Sequence, residues 1–471
     1  MANKIRNVKK GCKTTKVVII GSGAAGTTAG FWAKKTDRKC EVLLINREPY
    51  PEYSRCGLPY TISKVIPEFL NLREHDAGWF ESFAKIGIKL ETEVTDVNTK
   101  AKTVKLKDLK TGKEETVNYD KLIIASGSHP GTPPIEGVQN MKGIFYLRTL
   151  QDAMDIEAAA RKAKNAVVIG AGLIGVETAE NLVEKGLKVA MVEFLPSIVP
   201  LMIDPDMAEL VQEEMIKHGM EVYTNTAAKA VLGKDKVQKV LIENRETKET
   251  KELPADLVVI GAGVRPYVEI AQKAGVAMGT TKYIKVNEKC ETNVPDIYSA
   301  GDCTEYPDFV TGEPTPQGMG TIAVRMGKVC GINAVGGEAK MPKGVLLTRI
   351  TKVFGCQLAA VGPTTSQLEK NKIKPIVGKI TGSSKPEYFP GGKLIRIKIL
   401  SDEGGKILGA QIVGFEDVHQ KINVIAAAMQ SGMSVYDLEW LETCYAPASC
   451  PTWDVLTLVA EPVTKKIARK K

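Results

Sequence analysis

The chain reads Lys16-Val17-Val18-Ile19-Ile20-Gly21-Ser22-Gly23-Ala24-Ala25-Gly26 near its start, a β-branched run followed by glycines spaced G-x-G-x-x-G. A helical stretch to about Lys35 follows, so the order is strand, glycine loop, helix, as a dinucleotide-binding motif requires. Gly21 permits the tight turn, Gly23 lets the backbone approach a pyrophosphate, and Gly26 allows close helix–strand packing. The helix N-terminus offers its dipole and free amides to phosphate. This order predicts a bound dinucleotide.

The same pattern occurs a second time. Asn165-Ala166-Val167-Val168-Ile169 leads into Gly170-Ala171-Gly172-Leu173-Ile174-Gly175, and after a helix the next strand runs from Lys188 to Val192. Glu193 ends that strand, where a carboxylate can hydrogen-bond an adenosine ribose and repel a 2′-phosphate. Two units in register predict two dinucleotides, and Glu193 favours NADH over NADPH.

The first unit differs at the position equivalent to Glu193. Its second strand, Glu41 to Asn46, ends in an asparagine rather than an acid, with Arg47 beside it. An amide still offers a ribose hydrogen bond. We therefore predict that Asn46 and Arg47 help to hold a dinucleotide here as well.

Three further predicted strands end in small residues. Leu122-Ile123-Ile124 runs into Ala125-Ser126-Gly127-Ser128, Leu257-Val258-Val259-Ile260 into Gly261-Ala262-Gly263, and Ile297-Tyr298-Ser299 into Ala300-Gly301-Asp302-Cys303. Small residues at strand ends leave room for a cofactor, although ordinary turns would explain them too. Asp302 is placed to accept hydrogen bonds from the sugar-alcohol chain of a flavin; the alternative is a turn aspartate.

A cysteine follows the second strand of the first unit, in Arg55-Cys56-Gly57-Leu58-Pro59-Tyr60. At that place Cys56 can lie against a flavin bound across the C-terminal edge of the sheet. The alternative is a packed small residue, since free cysteine is among the most buried residue types. Arg55 can lower the pKa of the thiol and attract an anionic disulfide or polysulfide. A solvent-facing charge is the alternative for Arg55.

Length, charge and the cysteine and histidine content restrict the classes of protein to which the chain can belong. A chain of 471 residues is too long for a single hydrophobic core, so two to four domains are expected. The net charge of +9 comes from basic ends, Lys4 to Lys16 and Lys465 to Lys471, which we interpret as solvated tails rather than sites for nucleic acid or lipid. The nine cysteines include no C-x-x-C pair and the four histidines no metal-spaced cluster, so we predict a reducing cytoplasm and no metal. No apolar run has the length of a membrane span.

From about Val345 the sequence changes character. Predicted strands at Val345 to Phe354, Lys393 to Leu400 and Ile407 to Val413 alternate with turns, and a helix is predicted from Val418 to Ser431. This is an α+β module without a glycine fingerprint. Substrate cover or dimerisation is its expected role.

These motifs together resemble the flavin-dependent pyridine nucleotide–disulfide oxidoreductases, in the branch with a single active-site cysteine. That branch includes coenzyme A-disulfide reductases, NADH oxidases and peroxidases, and polysulfide reductases. The resemblance runs from Val17 to about Leu456. It is carried by both glycine fingerprints with Glu193, by Cys56-Gly57-Leu58-Pro59-Tyr60, Leu195-Pro196, Gly263-Val264-Arg265-Pro266, Ala300-Gly301-Asp302-Cys303 and Tyr445-Ala446-Pro447.

The resemblance implies an α/β fold with two Rossmann-like, glutathione-reductase-like domains and an α+β C-terminal dimerisation domain. The implied FAD-binding domain is discontinuous, at 14–148 and 256–335, with the NAD(P)H-binding domain at 149–255 and the dimerisation domain at 343–471. Cys56 would be the redox thiol beside the flavin, and Tyr445 would reach toward the cysteine of the other subunit. The predicted or implied cofactor-binding residues are Gly21, Gly23, Ala24, Ala25, Gly26, Asn46, Arg47, Val94, Ser126, Gly127, Gly301, Asp302, Gly170, Gly172, Leu173, Ile174, Gly175, Glu193 and Gly263.

The chain differs from the family it resembles at several positions. Peroxidases and water-forming oxidases of the branch carry a histidine in the first glycine loop, which Ser22-Gly23-Ala24-Ala25 lacks. Coenzyme A-disulfide reductases usually show Ser-Phe-x-Asn-Cys where this chain has Glu52-Tyr53-Ser54-Arg55-Cys56. The predicted substrate-binding residues are Tyr53, Arg55 and Cys450. Cys450, where relatives commonly have serine, could resolve a disulfide on Cys56, although a structural cysteine is the alternative.

The predicted function is a cytoplasmic, homodimeric FAD-dependent NAD(P)H oxidoreductase. It would reduce a small disulfide, persulfide or polysulfide, such as a coenzyme A derivative, through Cys56. The alternative is an NADH oxidase, or an NADH-dependent electron donor to a partner redox protein. No nucleic-acid or membrane partner is expected.

Overall fold

The computed structural model describes residues 14–139 and 141–470. The predicted basic N-terminal tail, apart from Lys16, and Lys471 lie outside the described residues.

The first part of the chain forms a parallel sheet with an antiparallel flap. Its elements are β1 (Lys16–Ile20), α1 (Ala24–Thr36), β2 (Glu41–Ile45), α2 (Leu58–Ile62), α3 (Ala77–Trp79), β3 (Gly87–Lys89), β4 (Thr92–Asn98), β5 (Thr103–Asp108), β6 (Glu114–Asn118), β7 (Lys121–Ile124), β8 (Ser128–Pro130) and β9 (Ile144–Tyr146). The strands β4, β5 and β6 make a separate antiparallel sheet.

The middle part of the chain contains the second fingerprint and returns to the first sheet. Its elements are α4 (Leu150–Ala160), β10 (Asn165–Ile169), α5 (Leu173–Glu184), β11 (Lys188–Val192), α6 (Pro205–Lys217), β12 (Glu221–Tyr223), β13 (Thr226–Gly233), β14 (Val237–Asn244), β15 (Thr250–Pro254), β16 (Leu257–Ile260), β17 (Val264–Pro266), α7 (Glu269–Lys273), β18 (Ile284–Lys285), β19 (Ile297–Ser299), β20 (Thr304–Pro307), β21 (Pro314–Pro316) and α8 (Gly320–Ala334).

Two five-stranded parallel sheets carry the two glycine loops. The first has the order β19-β7-β1-β2-β3 and the second β12-β11-β10-β16-β9. The central strands β1 and β10 are buried along nearly their whole length. That burial explains why both read as continuous β-branched runs rather than as alternating ones.

The second sheet is inserted between strands of the first. The chain leaves the first sheet after β7 and returns to it at β19, which pairs with β7 in parallel. On the way out it forms β8 and on the way back β17, and these two strands pair antiparallel. The two crossings between the sheets are thereby hydrogen-bonded to each other.

The last part of the chain is an antiparallel sheet covered by helices. Its elements are β22 (Arg349–Val353), β23 (Cys356–Val361), α9 (Thr365–Lys370), β24 (Ile376–Ser383), β25 (Leu394–Ser401), β26 (Ile407–Gly414), α10 (Val418–Ser431), α11 (Val435–Glu439), α12 (Val455–Leu458) and α13 (Glu461–Ala468). The sheet order is β22-β23-β26-β25-β24. Ile422, Ile425 and Met429 of α10 are buried against it, as their helical spacing predicts.

Most predicted elements are present with small differences at their ends. The helix predicted from Val418 to Ser431 has those bounds, and α1 ends one residue beyond the predicted Lys35. The strand predicted from Val345 to Phe354 is shorter, because regular pairing with β23 begins only at Arg349. Within 14–139 and 141–470, no helix has both the length and the apolar character needed to cross a bilayer.

A buried ion pair joins the second sheet region to the C-terminal module. Lys398 of β25 lies 2.8 Å from Asp204, which precedes α6, and 2.8 Å from Asp206. The side chains of Lys398 and Asp204 are only 8% and 5% exposed. Burial alone would lower the pKa of Lys398, yet the two carboxylates raise it above its ordinary value. The lysine is therefore charged and satisfied inside the protein.

Replacing this lysine should cost much of the stability of the junction. We expect Lys398→Met to lower the free energy of unfolding by roughly 3 kcal/mol, because it leaves buried carboxylates without their partner. The matched control is Lys379→Met, whose exposed pair with Asp206 is worth about 1 kcal/mol or less. Denaturant unfolding followed by circular dichroism measures both, and equal losses in the two variants would contradict this account.

Candidate active site

The two glycine loops have the same geometry. Gly21 and Gly170 have φ values of 103° and 102°, a left-handed conformation that favours glycine. A Cβ on Gly26 would lie 1.9 Å from the Gly21 carbonyl oxygen, and a Cβ on Gly175 equally close, 1.9 Å, to that of Gly170. Each loop is therefore folded back on the first turn of its helix, as the fingerprint spacing predicts.

The same loops leave an open side at the helix N-termini. A Cβ built on Gly23 or on Gly172 would meet no other atom within 4 Å. These two residues are the N-caps of α1 and α5, and no side chain caps either helix. Ser22 Oγ is buried beside the first loop without a hydrogen-bond partner in the described structure. Free amides, open space and an orphaned hydroxyl fit a phosphate-bearing dinucleotide.

The residues that end the second strands are held by the backbone. Asn46 is buried and its amide donates to the Tyr50 carbonyl over 2.6 Å. Glu193 is also buried, and its carboxylate accepts hydrogen bonds from the Ala171 amide at 2.6 Å and the Leu195 amide at 2.8 Å. The Glu193 charge thus fixes the second glycine loop and stays beside the position predicted for a ribose.

The remaining predicted cofactor residues of the first unit lie around the end of its sheet. Ser126 donates from Oγ to the Tyr267 carbonyl over 2.6 Å. Arg47 is exposed, 3.5 Å from Glu93, next to the half-buried Val94 of β4. Gly127 and Gly301 have positive φ at the ends of β7 and β19.

Asp302 lies at the same edge in an ion pair that the sequence did not reveal. Its carboxylate is 3.1 Å from Arg148, and the Ser128 hydroxyl donates to it over 3.3 Å. Arg148 also donates to the Ser128 carbonyl over 2.9 Å. The one available signal for Arg148 was its place directly before the capping box Thr149–Asp152 that starts α4.

The Cys56 thiol lies where the two units meet. It belongs to a short 3₁₀ turn, Arg55–Gly57, that continues into α2, and its side chain is exposed. Neighbouring groups nonetheless displace enough water to raise the pKa of Cys56, and the carboxylates of Glu177 and Asp302 raise it further. The positive charge of Arg148 lowers the pKa of Cys56. Asp302 follows β19 of the first sheet and Glu177 lies on α5 of the second, so both units act on one thiol.

Arg55, a predicted substrate contact, is held in a polar cluster beside Cys56. Its guanidinium turns to Glu48, at 2.6 Å, and donates to the Tyr53 hydroxyl at 2.8 Å and the Arg148 carbonyl at 2.9 Å. Paired in this way, Arg55 neither faces solvent freely nor lowers the pKa of Cys56; the cation that lowers it is Arg148.

Tyr53, the other predicted substrate contact before Cys56, is buried in the same cluster. Its side chain is 6% exposed and its hydroxyl donates to Glu48 over 2.5 Å. Burial raises the pKa of Tyr53, so the phenol stays neutral. Tyr53, Glu48 and Arg55 form a polar cluster that supports the turn carrying Cys56.

Glu177 is a further residue that the sequence reasoning missed. It accepts a hydrogen bond from the Thr351 hydroxyl over 2.6 Å. Burial raises the pKa of Glu177; the Thr351 bond opposes that rise and the Glu180 charge adds to it. Burial, with Glu177, Glu180 and Cys56, also raises the pKa of Tyr60 to about 12. A carboxylate two residues after the third glycine of the second fingerprint was the signal for it.

Tyr445 and Cys450 lie in the C-terminal module, and their described contacts are all within it. The Tyr445 hydroxyl is 2.7 Å from that of Tyr388, and Cys450 Sγ is 3.8 Å from Cys444 Sγ. Exposed aromatic residues surround this segment. They are Tyr388, Trp440, Tyr445 and Trp453, between 49% and 85% exposed.

No group of three or more His, Cys, Asp or Glu side chains in the described ranges is arranged to hold a metal ion.

The fold and both fingerprints agree with comparisons to known proteins. Residues 15–320 match the model of the pyridine nucleotide-disulphide oxidoreductase family, and residues 348–453 match the dimerisation domain of that family. The chain belongs to the pyridine nucleotide-disulphide oxidoreductases. The resemblance and the fold class predicted from sequence are confirmed, and membership implies a flavin and a nicotinamide dinucleotide.

Three relatives show which branch it resembles. The chain is 38% identical to an NADH oxidase of Methanocaldococcus jannaschii, over 97% of this chain and 100% of the relative. It is 31% identical to an NAD(P)H coenzyme A polysulfide/persulfide reductase of Pyrococcus horikoshii, over 96% and 98% of the two chains. The solved NAD-dependent persulfide reductase from A. fulgidus is 34% identical with a TM-score of 0.92, covering 97% of this chain and 84% of that one.

The charge environment of Cys56 gives a direct test. We expect Glu177→Gln to speed alkylation of Cys56 by iodoacetamide at neutral pH by roughly tenfold, because removing a nearby negative charge lowers the pKa of the thiol. Alkylation rates measured by mass spectrometry between pH 6 and 10, roughly bracketing the ordinary thiol pKa, give the shift.

Glu180→Gln is the matched control for that experiment. Glu180 lies on the same helix and is also a buried carboxyl with a raised pKa, caused first by burial. It is not among the groups that shift the pKa of Cys56. A profile for Cys56 that moves equally in both variants would rule out a specific effect of Glu177.

Proposed function

We propose that this protein is an FAD-dependent reductase of a disulfide, persulfide or polysulfide, driven by NADH and acting through Cys56. The observation that carries the proposal is the position of the accessible Cys56 thiol under the joint influence of Asp302 and Glu177, one from each dinucleotide unit. A thiol at the junction of two dinucleotide sites is placed to pass electrons from one to a substrate.

The residues of the first unit fit FAD. The amides at the start of α1 and the unpartnered Ser22 hydroxyl would take the pyrophosphate, and Asn46 and Asp302 would face the sugar and sugar-alcohol groups. When bound, the flavin supplies a two-electron relay between the nicotinamide and the thiol. Arg148 would then orient the Asp302 carboxylate.

The second unit fits NADH better than NADPH. Glu193 keeps a buried carboxylate beside the loop of Gly170, Gly172 and Gly175, where it can accept from a ribose hydroxyl and repel a 2′-phosphate. Leu173 and Ile174 begin the helix whose free amides would face the pyrophosphate, and Gly263 lies exposed after β16.

Cys56 would act as both nucleophile and leaving group. Its thiolate attacks one sulfur of a disulfide RSSR, forming a Cys56 mixed disulfide and releasing RS⁻. Two electrons from NADH and one proton then cleave the mixed disulfide to thiolate and RSH, and the released RS⁻ takes a second proton. Arg148 favours the thiolate, while Glu177 and Asp302 oppose it, so these three charges set its fraction.

We further propose the domain limits and the homodimer that the family resemblance implies. The FAD-binding domain would comprise 14–148 and 256–335, the NADH-binding domain 149–255 and the dimerisation domain 343–471. Exposed aromatic residues around Tyr445 suit a homodimer interface, in which Tyr445 would approach Cys56 of a second copy. A cytoplasmic location remains a prediction from cysteine usage.

An NADH oxidase is the second candidate function. It is favoured by the 38% identity to the M. jannaschii protein of that name. In this case oxygen accepts the electrons and Cys56 has a protective role. The first glycine loop, with serine and alanine where oxidases of the branch carry histidine, favours the reductase.

Loss of the thiol separates the two functions. We expect Cys56→Ser to lose disulfide and persulfide reduction by at least about a thousandfold, because serine is neither a competent nucleophile nor a leaving group in the exchange. Flavin absorbance and its bleaching by NADH under anaerobic conditions should be unchanged. Cys40→Ala, at a fully buried cysteine, is the control. If Cys56→Ser retained disulfide turnover, the reductase mechanism would be wrong. If it retained only oxygen consumption, the oxidase would be favoured.

The coenzyme preference depends on one charge. We expect Glu193→Gln to reduce the NADH over NADPH ratio of kcat/KM by roughly tenfold, since the amide no longer repels a 2′-phosphate. The glutamine oxygen can still accept from one of the two backbone amides that hold the loop. Steady-state kinetics with both coenzymes measure the ratio, and an unchanged ratio would show that specificity lies elsewhere.

A further inference from the structure

Two cysteine thiols are in contact on the segment that carries Tyr445. Cys444 Sγ and Cys450 Sγ are 3.8 Å apart, and Cys450 Sγ donates to the Cys444 carbonyl over 3.1 Å. Both are free thiols. Two sulfur atoms that are in contact in the reduced state are close enough to join in a disulfide.

A tight turn brings the two cysteines together. The amides of Ser449 and Cys450 both donate to the Ala446 carbonyl over 2.8 Å, so the chain reverses between the cysteines. The Tyr445 hydroxyl is tied to Tyr388 at 2.7 Å. The thiols therefore face each other because of the backbone, and a chance side-chain orientation is not needed to explain their contact.

Accessibility sets this pair apart from most other cysteines. Of the eight cysteines in the described ranges, only Cys56, Cys444 and Cys450 are not buried. The Cys450 sulfur raises the pKa of Cys444 through their hydrogen bond and its charge. Cys40, Cys290, Cys303, Cys330 and Cys356 are fully buried.

We propose that Cys444 and Cys450 form a second redox-active dithiol that exchanges with organic disulfides and is re-reduced by NADH through Cys56. This deepens the proposed function and rests on it. It assigns to the C-terminal module a thiol–disulfide step of its own, in addition to any role in dimerisation. The substrate class is a small organic disulfide RSSR.

Oxidation of the Cys444–Cys450 pair by RSSR takes place in two steps. One thiolate of the pair attacks RSSR, forming a mixed disulfide and releasing RS⁻. The other thiolate attacks the cysteine sulfur of that mixed disulfide, forming the Cys444–Cys450 disulfide and releasing a second RS⁻. The two protons lost by the pair convert both RS⁻ to RSH, so the pair is oxidised by two electrons and RSSR is reduced by two.

Return to the dithiol uses one NADH. The Cys56 thiolate of a second copy, which the proposed homodimer brings to the Tyr445 segment, attacks the Cys444–Cys450 disulfide; this frees one thiolate of the pair and leaves a mixed disulfide with Cys56. Attack by that freed thiolate would only reverse the step. Two electrons from NADH instead cleave the mixed disulfide, and with two protons taken up both thiols of the pair are restored.

Mass spectrometry of the full-length flavoprotein tests the proposal. The protein is reduced, freed of reductant anaerobically, exposed to hydroxyethyl disulfide, acid-quenched, alkylated and digested with trypsin. Cys444 and Cys450 share one tryptic peptide, between Lys421 and Lys465, that contains no other cysteine. We expect that peptide to lose both alkylation sites and two hydrogens, and to regain both sites after NADH is added.

Variants separate a dithiol from two independent thiols. In Cys444→Ser and Cys450→Ser the remaining thiol should carry a stable hydroxyethyl adduct in place of the internal disulfide. Ser449→Ala, in the same turn, is the matched control and should behave as the unaltered protein. In Cys56→Ser the internal disulfide should form but should persist after addition of NADH.

The outcomes distinguish this proposal from the proposed function. A peptide that keeps both alkylation sites while Cys56 reacts with the probe and turnover continues would overturn the dithiol alone. Adducts on both cysteines of the unaltered protein, without an internal disulfide, would also overturn it. Disulfide turnover retained by Cys56→Ser would overturn the proposed function, and restoration of the pair by NADH in that variant would overturn the route through Cys56.

Discussion

The contact between the third glycine of each fingerprint and the carbonyl of the first is the constraint on which the nucleotide-binding part depends. At 1.9 Å from a hypothetical Cβ, the Gly21 and Gly170 oxygens exclude any side chain at Gly26 and Gly175. Each helix can therefore begin directly at its strand end and direct its first amides into open space. That open space is where the proposed function places the phosphates of the two dinucleotides.

The charges around Cys56 come from segments far apart in the chain, and their balance is not the one that a cysteine beside an arginine suggests. Arg55 is occupied by Glu48 and Tyr53, while Asp302 and Glu177 disfavour the thiolate and Arg148 favours it. The protein alone thus holds the thiol closer to its protonated form. A bound cofactor or substrate that alters this balance would change the nucleophile itself.

The parts of this molecule that sequence predicts are those with a local cause. Glycine spacing, β-branched runs and helical periodicity placed β1, α1, β10, α5 and α10, because each depends on neighbouring residues. The pairing of Arg55 and Tyr53 with Glu48 could not be predicted from sequence, because the partner of a side chain is set by the three-dimensional fold. Arg148 and Glu177 were missed for the same reason: their places in the sequence mark a helix start and a glycine fingerprint, but do not show that Asp302 or Cys56 lies beside them.

The pairing of β19 with β7 has a consequence for the order in which the protein can form. The ribosome delivers every strand of the second sheet, from β9 to β16, before it delivers β19. The inserted unit can therefore close its own sheet while the outer one still has an unpaired edge at β7. During synthesis the first sheet would therefore be completed only after the inserted second sheet.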